Sequence, residues 1–279
     1  MKTICFAPFA AALCIALAAQ PALAQSPEAL DTAQLLVVRS GLAVQLRGVV
    51  AQMKSGMEQQ RGKASDELVL KLVEAAEEAF RPELLQDAIA RDVARRLQVE
   101  DMKAALAWLG TDLGRRITLA EEAASNTDDE AIARYMRGLK EKRPTAARVS
   151  LINDIVEATY AEDLALRSMH AMALGVALGM DSTLPRERRL GMARIEKEVN
   201  AALPKEKLKQ ELRATMAANC LYAYRELRDD DLRRYIEFLR SPAGKRYSDE
   251  MTQAFMDELV RASVRLGQLV DQKTVKQPA

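Results

Sequence analysis

Histidine occurs once in this chain, cysteine three times, and aromatic residues make up only 4% of 279 residues. A histidine-based catalytic triad could form only around His170, which sits in the apolar run Met169-His-Ala-Met172-Ala-Leu-Gly-Val. Glycine (12) and proline (9) are sparse and fall at the ends of periodic segments, where helices start and stop. Sustained period-two alternation of β-branched residues is missing, so strands have no good home and no glycine-rich phosphate loop can follow one. The longest apolar run, Ile4 to Ala19, falls short of the roughly 20 residues that span a bilayer, and no second such run follows it. Neither sign of charge prevails, with 41 basic and 40 acidic residues, which argues against a nucleic-acid binder or a strongly anionic-membrane binder.

The N-terminus has the three-part layout of a secretory signal. Lys2 supplies the positive start, the apolar run follows, and Pro21-Ala-Leu-Ala24 offers an Ala-x-Ala cleavage site between Ala24 and Gln25. Cys14 lies inside the apolar core behind Leu13, unlike a lipoprotein cysteine. The expectation is a bacterial periplasmic protein, with residues 1–24 removed and no integral membrane segment in the mature chain. Cleavage removes Lys2 and no acid, and leaves Cys220 as the one cysteine, so no intramolecular disulfide is expected. What remains is long enough to bury a sizeable core unaided.

The rest reads as all-α. Leu35, Val38, Leu42, Leu46, Val49 and Met53 keep helical spacing and predict one helix over 31–54, followed by a polar loop. Further helices are expected over 65–80, from Pro82 to Arg96, over 98–109 and over 112–124. Thr127 and Glu130 form a capping box for another, ending near Lys140. Residues 141–144 are the expected seam between a first half (25–143) and a second (144–271). In the second half a helix should reach Met180, where Asp181 to Pro185 stop it. Others should run from Pro185 to Ala202, from Pro204 to Arg225, from an Asp229 or Asp230 cap to Leu239, and from Ser241-Pro242 to Leu269. Residues 272–279 are polar and should form a flexible tail.

Two segments repeat at a constant offset of 130. Residues 97–117 read LQVEDMKAALAWLGTDLGRRI and residues 227–247 read LRDDDLRRYIEFLRSPAGKRY. Leu97/Leu227, Asp101/Asp231, Leu109/Leu239, Gly114/Gly244 and Arg116/Arg246 are identical, and Met102/Leu232, Leu106/Ile236, Trp108/Phe238 and Arg115/Lys245 stay within a chemical class. Leu232, Ile236 and Leu239 fall at i, i+4 and i+7, with Tyr235 and Phe238 on the adjacent stripe. What was copied is therefore a packing unit, each large apolar side chain contributing roughly 1.5–3 kcal/mol when buried. Gly114 and Gly244 sit inside the helix after the turn, at a helix cost of about 1 kcal/mol, which implies that another helix passes too close for a Cβ. The fold expected is a helical bundle built from two tandem, pseudo-symmetric helical repeats. Whether they form one bundle or two domains is open at this point.

Tyr224, Leu232, Ile236, Phe238 and the run Ser241-Pro-Ala-Gly-Lys245 resemble the hallmark of domain-of-unknown-function family 2059, whose members are exported, helical, uncharacterised bacterial proteins. The resemblance covers residues 205–260 and, more weakly, 85–125, where Thr111-Asp-Leu113 stands in place of Ser241-Pro-Ala243. It implies a helical periplasmic domain and carries no activity or catalytic residue with it.

Few groups invite chemistry. Met169, Met172 and His170 bear ligand types suited to Cu(I), yet His170 projects about 100° away from Met169, and a Met- and Ala-rich buried helix explains them. Asp229, Asp230 and Asp231 suit a helix N-terminus without any cation. Arg115-Arg116 and Lys245-Arg246 could meet an anion, though a solvated basic face beside glutamates accounts for them. Cys220 has no resolving partner and is expected to be inertly buried, with free-thiol dimerisation as the alternative. Carboxylates are scattered at surface-helix spacings. No cofactor, metal or catalytic residue is expected. The function expected is non-catalytic binding of a protein or envelope partner in a groove between the halves; the alternatives are a carrier of a small apolar or lipid ligand in an inter-helix cavity and, further off, an envelope-polymer hydrolase.

Overall fold

The fold is described by a computed structural model covering residues 26–48, 51, 66–182 and 184–275. Among the described residues there is no strand. The helices are α1 (Pro27–Arg39), α2 (Asp66–Ala79), α3 (Pro82–Arg96), α4 (Val99–Leu109), α5 (Asp112–Ser125) and α6 (Asp129–Gly138), then α7 (Ala146–Ala158), α8 (Ala161–Ser182), α9 (Met192–Ala202), α10 (Lys205–Ala223), α11 (Asp229–Arg240) and α12 (Pro242–Val275). Residues 42–48 are also helical. No described helix is long and apolar enough to cross a membrane. The signal segment with Ala24 and Gln25, most of the polar loop before residue 65, and residues 276–279 lie outside the described residues.

Local chemistry corrects several expected boundaries. Ser26 accepts from the Ala29 amide at 3.1 Å with Pro27 at the first helical position, so α1 starts a turn before Asp31. The single helix expected over 31–54 breaks at Gly41, whose φ of +76° is left-handed. The expected inward stripe is also corrected: Leu35 and Val38 are exposed and α1 buries Ala29, Ala33, Leu36 and Val37 instead, while after the break Leu46 does enter the core. Asp128, not Thr127, caps α6, its Oδ1 accepting from Ala131 at 2.6 Å, while Thr127 donates back to Ala123. Neither Asp229 nor Asp230 caps α11: Arg228 holds the N-cap position, and its amide donates to Asp231 Oδ2 at 3.4 Å. Pro185 begins only a short 3₁₀ turn. Asp181, buried at the end of α8, takes the amides of Leu190 (2.6 Å) and Gly191 (3.1 Å), and this delays α9 to Met192. At the C-terminus α12 continues to Val275, past the expected end near Leu269 and through the first residues of the expected tail.

The long α12 is the spine. It packs along α8 and also against α2, α3, α4 and α11, so it touches elements from both sides of the 141–144 seam. One core cluster likewise joins Leu36, Phe80, Ile89 and Met102 to Ile152, Ile155 and Leu232. Asp92 on α3 and Glu258 on α12 are buried and share Arg261, and Arg265 closes on Glu258 at 2.6 Å. Breaking such buried pairing is costly, so the network pins α3 to α12 in one register.

α8 and α12 meet closely where Gly175 faces Ser263. A Cβ on Gly175 would stand 2.4 Å from the Ser263 Cβ and 3.1 Å from its carbonyl carbon. Gly175→Ala should therefore lower stability by about 1–2 kcal/mol, the helix-propensity gain of about 1 kcal/mol being outweighed by overpacking. Urea denaturation checks this.

The repeated segments form two corners, α4–α5 and α11–α12, that face each other. Trp108 stacks on Phe238 with ring centroids 4.1 Å apart and planes 8° from parallel. Arg246 clamps Asp101 through two bonds of 2.7 and 2.6 Å, and Arg116 reaches Asp231 at 3.1 Å. Each pair joins a residue of one segment to the 130-offset counterpart of its own equivalent's partner. Asp101 is held below the ordinary carboxylate range by the Arg246 bond. For Asp231 burial pushes upward, but Arg116 and Arg228 outweigh it and hold the group low.

Each corner is built in the same way. Thr111 donates to the Trp108 carbonyl at 2.7 Å and accepts from the Gly114 amide at 3.0 Å; Ser241 repeats this with Phe238 (2.7 Å) and Gly244 (3.1 Å). A Cβ on Gly114 would lie 2.3 Å from the Trp108 oxygen, and one on Gly244 only 1.9 Å from the Phe238 oxygen. The glycines are thus needed because the preceding helix of the same hairpin ends against them, not because a separate helix crosses there.

Candidate functional site

An aromatic ladder leads inward from the corners. Tyr235 stacks on Trp108 at 5.3 Å, Tyr224 meets Tyr235 edge-on at 6.1 Å, and Tyr247 lies 6.2 Å from Phe238. These rings reach a cleft of about 460 Å³ lined by the 42–48 helix, α5 and α6 from the first half and by α7, α8, α10, α11 and α12 from the second. Its floor is Ile155, Tyr224, Tyr235, Leu239 and Met251, all buried, and its rim carries Gln45, Thr127, Asn219 and Thr252.

Glu121 is the polar focus. It follows Leu113 and Ile117 on the inward stripe of α5, two turns along, so the helix that buries those side chains carries a carboxylate to the cleft. Tyr224 donates to Glu121 Oε1 at 2.6 Å and Tyr235 donates to the same oxygen at 3.0 Å. No hydrogen bond from the described residues reaches Oε2, and the Glu121 side chain is partly exposed where it lines the cleft. Burial pushes the Glu121 carboxyl above the usual glutamate range, with the two tyrosines pulling it back and Glu122 adding to the rise. Burial also drives the Tyr224, Tyr235 and Tyr247 hydroxyls well above their ordinary values and the Cys220 thiol up to about 12. At neutral pH the phenols and the thiol are therefore protonated, and Cys220 is a poor nucleophile.

An acid whose folded value is raised holds its proton more tightly in the folded chain than in the unfolded one. Its contribution is fully present below the unfolded value, near 4.5, and is lost as pH rises through the folded value. Glu121→Gln keeps an acceptor for both tyrosines and never ionises. We expect it to melt above the wild type at neutral pH, with the two converging in acid; thermal unfolding across the pH range checks both limbs.

The structure brings the residues of the repeat together. Met102, Leu109, Leu232, Ile236, Phe238 and Leu239 are buried, Leu106 and Trp108 pack against the same core, and Gly114 and Gly244 form the corners. Other candidates are kept apart. Met169 is exposed and Met172 packs on the core, while His170 Nε2 lies 2.9 Å from Asn200 Oδ1. Asp229 pairs with Arg148 at 2.8 Å, Asp230 with Arg233, and Asp231 with Arg116 and Arg228, so each acid of the run is taken up by different arginines. Lys245 receives Tyr160 and Asp249 as partners, Arg246 holds Asp101, and Arg115 closes on Gly110 and Asp112 within its own corner. No group of three His, Cys, Asp or Glu side chains placed to hold a metal ion occurs among the described residues.

Glu121, Tyr235 and Tyr247 were not expected as site residues. The one readable signal was a glutamate at i+8 from Leu113 and i+4 from Ile117, on an otherwise apolar face. A second groove, about 580 Å³, runs between α8, α9 and α12 and is mainly apolar, with Met192 55% and Val260 47% exposed along it. No protein-family model, curated protein or solved structure matches this chain.

Proposed function

We propose that this chain is a non-catalytic binding protein of the bacterial periplasm that carries a small, largely apolar ligand in the cleft between two tandem, pseudo-symmetric helical halves. The observation that carries the reading is the cleft: its volume falls in the range of small-molecule sites, roughly 300–1,000 Å³, and it joins an apolar floor to a polar rim, with Glu121, Tyr224 and Tyr235 converging inside. A hydrolase of envelope polymers is less well supported, because two carboxyls about 5–10 Å apart are needed and Glu121 is the sole carboxylate lining this cleft among the described residues. The reciprocal Asp101–Arg246 and Asp231–Arg116 pairs, with Trp108 on Phe238 between them, support the two-halves reading, since two-fold contacts recur as i to j and j to i. Membership of domain-of-unknown-function family 2059 is proposed on the Ser241-Pro242 corner, and export on the Lys2 to Ala24 pattern. Native mass spectrometry of chain purified under mild conditions tests the carrier role: a retained non-protein mass supports it, and a consistently empty chain counts against it.

A protein or envelope partner is the second reading. The half-exposed apolar side chains of the α8–α9–α12 groove favour it, because contiguous apolar surface rimmed by polar groups marks contact sites. Pull-down from periplasmic extract with wild type and with Val260→Lys would separate a partner at that groove from adhesion elsewhere.

A further inference from the structure

We infer that the ligand of the central cleft is a small organic cation, an ammonium group borne on an apolar body. This rests on the cleft being a small-ligand site, and it names the class of ligand. Glu121 is the only charged residue among the described residues lining the cleft; no lysine, arginine or histidine stands beside it. No described cation lies within ion-pair distance of its carboxyl either: its two close partners are the neutral hydroxyls of Tyr224 and Tyr235.

Those two hydroxyls converge on Oε1, which fixes the carboxyl plane and leaves Oε2 without a hydrogen bond from the described residues. A carboxylate taken out of water without a counter-charge is costly, and a cation placed at Oε2 would supply it. The surroundings suit such a ligand. Tyr224, Tyr235 and Tyr247 present aromatic rings that attract ammonium groups, and Ile155, Met216 and Met251 offer an apolar wall for its body. An anionic ligand would instead meet an uncompensated carboxylate, and a neutral one would leave it desolvated.

The groups that face Glu121 are Glu122 on its own helix, Cys220 on α10, Tyr224 after α10, Tyr235 on α11 and Tyr247 on α12. The thiol and the phenols stay protonated from acid to neutral pH. Cation affinity should therefore fall as pH drops through the Glu121 titration, and Glu122→Gln should leave that acid limb in place.

The test is isothermal titration of the purified chain with three near-isosteres: tryptamine, tryptophol and indole-3-acetate. Tryptamine should bind at least about tenfold tighter than tryptophol, with indole-3-acetate weakest, from the added ion pair and cation–π contact. Glu121→Gln should abolish the preference, and in the wild type the preference should fade in acid, a readout that does not depend on any variant folding. Equal binding of tryptamine and tryptophol, or a preference that Glu121→Gln leaves intact, overturns the cation assignment while the small-ligand reading stands. A neutral or acidic molecule retained in native mass spectrometry has the same consequence. Failure of all three compounds to bind, with no retained mass, overturns both.

Discussion

Phe238→Ala should lower the unfolding free energy by about 3–5 kcal/mol, the cost of emptying a buried aromatic site. The ring is buried, lies flat on Trp108 at 4.1 Å and has the tilted Tyr247 ring 6.2 Å away, so no neighbour can collapse into the space without dismantling the aromatic ladder. Trp108→Ala should cost less, because the indole is only partly buried. The double variant should be less unstable than the sum of the two singles by about 1 kcal/mol, the coupling typical of stacked rings. Guanidinium denaturation of the four chains completes the cycle. Strict additivity would mean that the two corners do not support one another.

Gly244→Ala should cost about 2–3 kcal/mol, although alanine is worth about 1 kcal/mol more than glycine inside a helix. The added Cβ would fall 1.9 Å from the Phe238 carbonyl oxygen, a backbone atom already fixed by the Ser241 amide at 3.0 Å and hydroxyl at 2.7 Å. Opening the corner far enough would also pull Arg246 away from Asp101. Gly114→Ala should cost less, since its Cβ would meet the Trp108 oxygen at 2.3 Å. Gly138 has nothing within 4 Å of its would-be Cβ, so Gly138→Ala should be neutral or stabilising by up to about 1 kcal/mol. Thermal melts of the three alanine variants check the order, and a Gly244→Ala chain as stable as Gly138→Ala would refute the corner argument.

Burial of the repeat stripe was legible because helical spacing and side-chain size suffice to predict which residues turn inward. Met102 and Leu232 are among the most deeply buried side chains in the chain. The glycines were legible as sites of close approach, but not the atom that approaches. Periodicity identifies a face; it does not say whether the neighbour is a crossing helix or the last carbonyl of the helix before. Helix starts were misread where competing polar groups lay side by side. Asp128 took the cap from Thr127, and Asp231 reached back to Arg228 while Asp229 and Asp230 went to arginines.

The cleft was almost invisible. Glu121 sits beside Glu122 in an alanine-rich run, and only its spacing from Leu113 and Ile117 marks it as the inward one of the two. Its partners Tyr224 and Tyr235 lie 103 and 114 residues away.

The amino-acid order alone determined an all-helical chain and the apolar face shared by the similar segments 97–117 and 227–247, because propensity and spacing act within a few residues. Only the folded arrangement decided that the corners clasp through Asp101–Arg246, Asp231–Arg116 and Trp108–Phe238, and that a lone carboxylate opens into a cleft beneath them. Those outcomes depend on distances between segments remote in sequence, and such distances are set by the packing of the whole bundle.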